Sequence, residues 1–241
     1  LHAFHHFFVQ NSNSKDLLEK WDFKNISISG DTRFDRVQEI VNQDNSLDFI
    51  NDFTNEQYTI VAGSTWKEDE NLLVHYINNQ LKTNDKVIIA PHNIKKDRIT
   101  ALKNKINKEV VLFSEKEEKT LENYQVFIVD TIGLLTKIYA VADIAYVGGG
   151  LKTGLHNILE PAIHGAPIVI GNRYQKFQEA VDLVAQKGCF AIRGQREFSS
   201  IFVRLREDKQ LRLQTGQINE NYVQSKLGAT EKIINYLNKN M

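Results

Sequence analysis

The sequence lacks several features, and each absence argues against a class of protein. Among 241 residues there is one cysteine, Cys189, so no disulfide can form within the chain, which favours a reducing, cytoplasmic setting. Thirty basic side chains balance thirty acidic ones, and no overall field attracts nucleic acid or an anionic membrane. No apolar run approaches the roughly 20 residues that span a bilayer. The composition therefore argues against disulfide-stapled, nucleic-acid-binding and membrane-spanning proteins.

Proline is also scarce, and Pro91, Pro161 and Pro167 all stand where a predicted strand or helix begins or ends. Between these points, β-branched or aromatic runs alternate with helical patterns of about 10 to 16 residues, the order typical of βα units. The sequence predicts an α/β fold with a Rossmann-like, doubly wound parallel sheet. The predicted strands cover residues 6–10, 25–30, 58–64, 86–91, 110–113, 126–130, 143–149, 167–171 and 189–192.

Three regions of different character divide the chain. The main sheet and its helices occupy 58–241, and the strand-free tail after residue 195 is predicted to form a helical cap. The polar, helical segment 31–57 is interpreted as a linker between domains. Because two strands and a helix are too few for a domain, residues 1–30 are predicted to be the remnant of an N-terminal domain.

Ligands of open parallel sheets bind beyond the carboxyl ends of the strands, where this chain places polar residues. After the third strand, Ser64 or Thr65 is predicted to cap the next helix. This loop either has only that structural role or also lines the ligand cleft. After the fourth strand, His92 is a candidate ligand contact. The following cluster, Lys95, Lys96 and Arg98, either supplies charge to a ligand or coats a solvated helix face.

The segment "YVGGGLKTGLHNILEP" combines a glycine loop with an acid. The backbone N–H groups of Gly148, Gly149 and Gly150 can hold a phosphate, or the glycines serve only a tight turn. Glu160 follows ten residues after Gly150, whereas a dinucleotide fingerprint places its ribose acid about 20 residues on. A carboxylate suits the two hydroxyls of a ribose, and Asn157 can cap the helix and face the ligand. The alternative is that Glu160 only interacts with the helix dipole.

These motifs carry a resemblance to a known family. "GGGLKTGLHNILEPAIHGAPIVIG" resembles the nucleotide-binding half of GT-B glycosyltransferases. With "SGDTRFDRV", "AGSTWKEDE", "APHN" and "VDTIGLLTKIYAVADIAYVGGG", it is similar to the transferases that attach 3-deoxy-D-manno-octulosonic acid (Kdo) to lipid A in Gram-negative bacteria. The resemblance runs from about Phe8 to about Arg193. It implies two Rossmann-like domains facing a cleft, with the C-terminal one holding the CMP of the donor, CMP-Kdo.

The resemblance also implies where the donor is held. The substrate-binding residues expected from it and from the strand ends are Ser64, Pro91, His92, Ile132, Gly133, Leu134, Gly148, Gly149, Gly150, His156, Asn157, Ile158, Leu159 and Glu160. Glu160 would take the ribose hydroxyls. Arg33 matches a basic residue that stabilises charge on the departing phosphate, and its alternative is a salt bridge with Asp31 or Asp35.

Two departures from the family pattern limit this transfer of roles. The family has an Arg followed by His-Pro-Glu after the proline, whereas this chain has His92, Asn93 and Ile94 after Pro91, which leaves open whether His92 replaces the Arg contact. Leu134 stands where an acid is common, so only a backbone contact is expected there.

The resemblance places the catalytic glutamate and the membrane-docking surface in the N-terminal domain. We therefore expect a donor-binding fragment of an inverting enzyme without metal or cofactor, inactive alone, since transfer needs a base aimed at the acceptor. The expected partners are CMP-Kdo, a lipid A precursor and the missing domain, through which the full-length enzyme would contact the cytoplasmic face of the inner membrane. The fragment itself is expected to be soluble.

Two alternatives keep the fold and change the function. One is a non-hydrolysing sugar-nucleotide epimerase, which would need a base that strips a carbon-bound proton. The other is a non-catalytic nucleotide-binding module. Nucleic acid is not an expected partner, because the charge is balanced and the basic clusters are short.

Overall fold

A parallel sheet of seven strands, covered by helices on both faces, forms the body of the molecule. The computed structural model describes residues 3–43 and 46–240. All nine predicted strands are present, and the doubly wound fold is confirmed. The strands are β1 (Phe7–Val9), β2 (Ile26–Ile28), β3 (Thr59–Thr65), β4 (Lys86–Pro91), β5 (Val110–Leu112), β6 (Val126–Ile128), β7 (Ile144–Val147), β8 (Ile168–Gly171) and β9 (Cys189–Ile192).

The helices follow the predicted alternation, and the described part of the tail after residue 195 is helical throughout except at its turns. They are α1 (Ser12–Glu19), α2 (Thr32–Val41), α3 (Asp48–Thr54), α4 (Lys67–Asn79), α5 (Lys96–Lys103), α6 (Leu135–Ile138), α7 (Leu159–Ile163), α8 (Gln178–Ala185), α9 (Gln195–Glu207), α10 (Lys209–Gln224) and α11 (Ala229–Asn240). Residues 44 and 45 of the predicted helical segment 31–57 lie outside the described residues, as do residues 1, 2 and 241.

The order of the strands fixes where loops can meet. The main sheet runs β5-β6-β4-β3-β7-β8-β9, with every pair parallel. The chain therefore winds outward from β3 through β4, and then returns to add β7 on the other side of β3. The carboxyl ends of β3 and β7 are the switch point, which is where open α/β sheets form their ligand crevice.

Alternation along the strands divides the core into two layers. On β3, Val61 faces one layer together with α2, α3, α7, α8 and α10. Its neighbours Ile60 and Ala62 face the other layer with α4, α5 and α9. Strands buried on both faces explain why these segments read as continuous apolar runs rather than alternating ones.

The first two strands form a separate parallel pair that is covered by the last helix. Tyr236 of α11 packs on the rings of His6 and Phe8, with centroids 4.2 and 5.2 Å apart. The carboxylate of Asp35 on α2 accepts the backbone N–H groups of Gly228 and Thr230 at 2.7 and 2.6 Å, at the start of α11. Because burial raises the pKa of Asp35 less than these hydrogen bonds lower it, the net pKa lies below the ordinary value.

The structure corrects one prediction about a helix start. Neither Ser64 nor Thr65 caps α4; the N-cap is Trp66, whose backbone N–H donates to the Asp69 carboxylate at 2.9 Å. The reason is that β3 continues through a bulge at Ser64, so that Thr65 still pairs with Pro91. None of the described helices is both long and apolar enough to cross a membrane.

Candidate ligand-binding site at the carboxyl edge of the sheet

The loops after β3 and β7 meet at the switch point and are held together by a buried carboxylate. Asp69, 1% exposed, accepts the hydroxyl of Tyr146 at 2.6 Å and the N–H groups of Trp66 and Gly149 at 2.9 and 3.0 Å. Burial raises the pKa of Asp69, while these three hydrogen bonds act in the opposite direction. One side chain therefore positions the β3–α4 turn against the glycine loop.

Three aromatic rings from three different loops form a cluster at this edge. Trp66 stacks on His92 with centroids 4.4 Å apart, and His92 lies 4.7 Å from His156. The indole Nε1–H of Trp66 donates to Nε2 of His156 at 3.1 Å. Because an indole only donates, His156 accepts at Nε2 and carries its proton on Nδ1. Burial, and next the charge of His92, lower the pKa of His156, which favours this neutral form.

The glycine loop is shaped by close backbone packing. A Cβ on Gly148 would lie 2.3 Å from the carbonyl oxygen of Ser64, and one on Gly150 would lie 2.9 Å from the backbone nitrogen of Gly171. The N–H of Gly148 donates to Gly63, and that of Gly149 donates to Asp69. Two of the three amides considered for a phosphate are thus bonded within the protein, which favours the alternative that Gly148 and Gly149 serve the tight turn.

The turn from Asn157 to Glu160, predicted to hold a ribose, is fixed by two side-chain hydrogen bonds of Asn157. Asn157 accepts the N–H of Leu159 at Oδ1 and donates from Nδ2 to the Glu160 carboxylate at 3.1 Å. The N-cap of α7 is Ile158, so Asn157, which was predicted to be the cap, lies one residue before the cap position. Leu159 is fully buried and Ile158 is 1% exposed, whereas Asn157 and Glu160 are half-buried. The apolar pair anchors the turn, and the polar pair is left at the edge of the sheet.

Tyr139, on the segment after α6, is a buried residue whose part in this region was not foreseen from the sequence. It is 1% exposed, and its hydroxyl lies so close to Gly63 of β3 that a Cβ there would be 2.0 Å away. Burial, and next the charge of Glu160, raise the pKa of Tyr139 well above its ordinary value. The Tyr139 hydroxyl is therefore neutral and responds to the charge of Glu160.

The remaining residues predicted to contact a ligand lie at the same carboxyl edge of the sheet, and they differ in how exposed they are to solvent. Pro91 is the buried last residue of β4, and the backbone N–H of His92 donates to Thr65 at 2.9 Å. Ile132 is 81% exposed. Gly133 has a φ of +89°, and no heavy atom would lie within 4 Å of a Cβ there. Leu134 is half-buried against the core. This turn is free of close protein neighbours at its tip.

Arg33 is paired with two carboxylates. Its guanidinium donates to Asp31 from Nε and Nη2, at 2.9 and 2.7 Å, and to the buried Glu179 of α8 from Nη1 at 2.9 Å. A salt bridge with Asp31 or Asp35 was the alternative to a catalytic role for Arg33, and the structure contains the one with Asp31. Asp35 instead accepts a backbone N–H at the start of α11. Hydrogen bonds to these acids raise the pKa of Arg33 further.

Sequence reasoning missed Trp66, Asp69 and Tyr139 as parts of one site. Trp66 is one of only two tryptophans and follows a strand end, which was the available signal; Tyr139 and Asp69 read as ordinary helix residues. Within residues 3–43 and 46–240, no group of three or more His, Cys, Asp or Glu side chains is arranged to hold a metal ion. A pocket of about 850 Å³ lies near the opposite, amino edge of the sheet, beside Thr59 and Asp143.

Several of the curated proteins similar to this chain are named 3-deoxy-D-manno-octulosonic acid transferases. No protein-family model matches the chain. It is 28% identical over 173 residues to the 3-deoxy-D-manno-octulosonic acid transferase of Chlamydophila psittaci, covering 69% of this chain and 39% of that protein. It is 30% identical over 131 residues to a probable mitochondrial transferase of the same name from Arabidopsis thaliana, covering 52% and 29%. The chain spans less than two fifths of the length of these curated relatives.

Solved structures with the same fold include a CMP-Kdo binding domain and a glycosyltransferase. The C-terminal CMP-Kdo binding domain of WaaA from Acinetobacter baumannii superposes with a TM-score of 0.63 at 22% identity, over 74% of this chain and 100% of that one. WaaG, a glycosyltransferase involved in lipopolysaccharide biosynthesis, superposes with a TM-score of 0.52 at 12% identity, over 94% and 60%. The parallel sheet with its helical C-terminal segment is thus the fold of a GT-B C-terminal domain.

Proposed function

Because the chain is similar in sequence to Kdo transferases and shares the fold of a solved C-terminal CMP-Kdo binding domain, we propose that it is the donor-binding part of a Kdo transferase. The full-length enzyme would transfer Kdo from CMP-Kdo to a lipid A precursor in lipopolysaccharide biosynthesis. The observation that carries the proposal is the turn from Asn157 to Glu160, which leaves a positioned carboxylate and amide at the switch point of the sheet.

The two polar side chains of that turn have different parts in holding a nucleoside. The Glu160 carboxylate accepts the two ribose hydroxyls, because it offers two oxygens with several lone pairs. Asn157 holds that carboxylate in place by its Nδ2–H bond of 3.1 Å. Pro91, His92 and the Ile132–Leu134 turn border the base and phosphate.

Arg33 is proposed to stabilise the departing phosphate. Three of the five N–H donors of a guanidinium are used by Asp31 and Glu179, so two donors remain for an oxyanion. Fixing the guanidinium by two carboxylates removes the cost of orienting it when charge develops. Its half-exposed position, 49% of the side chain, leaves it accessible to a ligand.

The other half of the reaction is proposed to lie in another domain. In this view residues 1–30 belong to the N-terminal, acceptor-binding domain, residues 31–57 connect the two domains, and residues 58–241 bind the donor. Transfer with inversion and without metal requires a base near the acceptor hydroxyl. That domain would supply the base and hold the enzyme at the cytoplasmic face of the inner membrane.

Calorimetry on this chain tests the donor site. We expect CMP to bind in preference to UMP and UDP, and Glu160→Gln to weaken CMP about 10- to 100-fold, the usual effect of losing hydrogen bonds to a charged group. The matched control is Glu39→Gln, an exposed acid on α2 that pairs with Arg36, which should leave the affinity unchanged. Unaltered CMP affinity in Glu160→Gln would remove the ribose role, and a preference for UDP would favour the epimerase.

A further inference from the structure

A small pocket opens beside the Trp66 ring and is not part of the turn that holds the nucleoside. Its volume is about 360 Å³, and the β3–α4 turn, α4 and the segment from β4 into α5 form its walls. We call it the Thr65 pocket. Its cationic and neutral lining residues are Thr65, Trp66, Asn93, Lys95 and Arg98, and two carboxylates, Glu70 and Asp97, also line it.

Thr65 contributes a polar group that the protein does not satisfy. The residue is 1% exposed, and its Oγ1 is one of the few buried side-chain oxygens without a hydrogen-bond partner in the described part of the chain. Buried hydroxyls are nearly always hydrogen-bonded, because leaving one unpaired is costly. An unpaired hydroxyl in the wall of the pocket is a group with which a ligand or an ordered water can form a hydrogen bond.

The two cations of the pocket are also without ion pairs. Within the described residues, Lys95 and Arg98 form no salt bridge, although Lys103 on the same helix pairs with Glu115 at 2.8 Å. Asn93 accepts the N–H of Lys95 at 3.0 Å and fixes the approach to α5, and within this part of the chain no side chain caps α5. The uncapped end of the helix adds positive potential to that of the two side chains.

The pocket's own acids do not neutralise these cations by contact. Burial raises the pKa of Glu70, and the charge of Arg98 acts in the opposite direction. Asp97 lies in the first turn of α5, where its carboxylate interacts favourably with the helix dipole. An oxyanion entering the pocket would meet two cations and uncapped amides, with the Thr65 hydroxyl in the wall and the carboxylates of Glu70 and Asp97 also facing the pocket.

We propose that the Thr65 pocket binds an oxyanion group, phosphate or carboxylate, of the nucleotide-sugar donor. That identity rests on the proposed function; the anion-binding character rests on the pocket alone. Trp66 connects the two places, because its ring lines the pocket while its Nε1–H bonds His156, the residue before Asn157. Lys95 and Arg98 would also supply positive charge close to the end of β4, where the family has an Arg and this chain has His92.

The experiment follows ligand binding by the fluorescence of Trp66. In a Trp21→Phe background Trp66 is the remaining tryptophan, since the chain has two. Four titrations are made at constant ionic strength. The ligands are cytidine, CMP, inorganic phosphate, and free Kdo added to the CMP-loaded protein. The test variant is Lys95→Gln with Arg98→Gln. The control is Lys96→Gln, which removes a charge from the same helix but does not line the pocket.

The titrations separate the two sources of the oxyanion. If the pocket takes the phosphate, the double variant weakens CMP about tenfold or more and leaves cytidine unchanged. If it takes the sugar carboxylate, CMP affinity stays the same and Kdo binding to the CMP-loaded protein is lost. Equal affinities for every ligand in wild type, control and double variant would overturn the proposal.

Failure of the proposed function gives a different pattern. If the wild-type chain does not bind CMP, the donor role is wrong, and inorganic phosphate alone then tests the pocket. A saturable change in Trp66 fluorescence that disappears in the double variant would support an anion site, and its absence would contradict one. Thr65→Val, which removes the hydroxyl at nearly constant shape, should weaken the same ligand as the double variant.

Discussion

At the scale of single residues, one buried carboxylate organises the candidate site. Asp69 accepts three hydrogen bonds, from Trp66, Tyr146 and Gly149. We predict that Asp69→Asn lowers the free energy of unfolding by about 2–3 kcal/mol, because an amide cannot accept from all three donors and leaves buried groups unpaired. Urea denaturation measures the change.

The neighbouring acid provides the control for that substitution. Glu68 forms a partly exposed ion pair with Lys152 at 3.1 Å, and such pairs contribute about 0–1 kcal/mol. Glu68→Gln should therefore change the free energy of unfolding by less than about 1 kcal/mol. Similar losses in the two variants would show that the Asp69 network is not what holds the loops together.

The pKa of His156 predicts a pH-dependent change at the site. Only a neutral imidazole accepts the Trp66 indole N–H, and burial and His92 lower the pKa of His156 below the value of about 6.5 for a free imidazole. The stability from this pKa shift is present above pH 6.5 and is lost as the pH falls through the lowered folded-state pKa. In the Trp21→Phe background, Trp66 fluorescence should change with a midpoint below pH 6.5.

Two histidine variants make this titration specific. His156→Gln should abolish the transition in Trp66 fluorescence. His164→Gln removes another histidine whose pKa burial lowers, but one that bonds the backbone of Thr136 instead of Trp66, so the transition should persist. A transition that survives His156→Gln would place its origin elsewhere.

At the scale of elements, helix α10 packs on the turn before β8 by direct backbone contact. A Cβ on Gly216 would lie 1.8 Å from the carbonyl oxygen of Gly165. Alanine favours an exposed helix over glycine by about 1 kcal/mol, yet here we predict that Gly216→Ala lowers the free energy of unfolding by about 1–3 kcal/mol through overpacking. Thermal or urea denaturation shows whether Gly216→Ala raises or lowers the free energy of unfolding.

A second position on α10 gives the baseline. Gln214 is exposed on the same helix, so Gln214→Ala should change the free energy of unfolding by less than about 0.5 kcal/mol. Stabilisation by Gly216→Ala comparable to that expected from helix propensity would mean that the two backbones are not in contact.

The elements themselves were largely predictable, and their exact ends were less so. Strands such as β3 and β4 are buried on both faces, and continuous apolar runs identify them without knowledge of their neighbours. The start of α4 was misassigned because the bulge at Ser64, with a φ of +51°, carries the strand one residue further. Serine shows no preference for that conformation, so nothing local in the sequence announces it.

At the scale of the whole molecule, the site depends on contacts between distant parts of the chain. Glu160 and its Asn157 partner could be predicted because they lie in one turn. The pairing of Arg33 with Glu179, and of Trp66 with His156, joins segments that only the complete fold brings together. Local patterns carry no information about such partners, so the aromatic cluster was missed.

A prediction at this scale concerns what the chain can do alone. We expect it to bind CMP but to show no turnover of CMP-Kdo on a lipid A precursor, because a held leaving group without a base at the acceptor does not complete the transfer. The assay measures Kdo transfer with the 241-residue chain, and a full-length relative serves as the positive control. Robust transfer by the chain would contradict the proposal that the catalytic base lies in another domain.

The contact of Tyr236 with His6 and Phe8 has a consequence for synthesis of the chain. These rings come from almost opposite ends of the sequence, while a ribosome adds about 5–20 residues per second. The first two strands therefore emerge long before the helix that covers them. During that interval their aromatic side chains are not covered by α11, and they become covered only once that helix has been synthesised and packs on them.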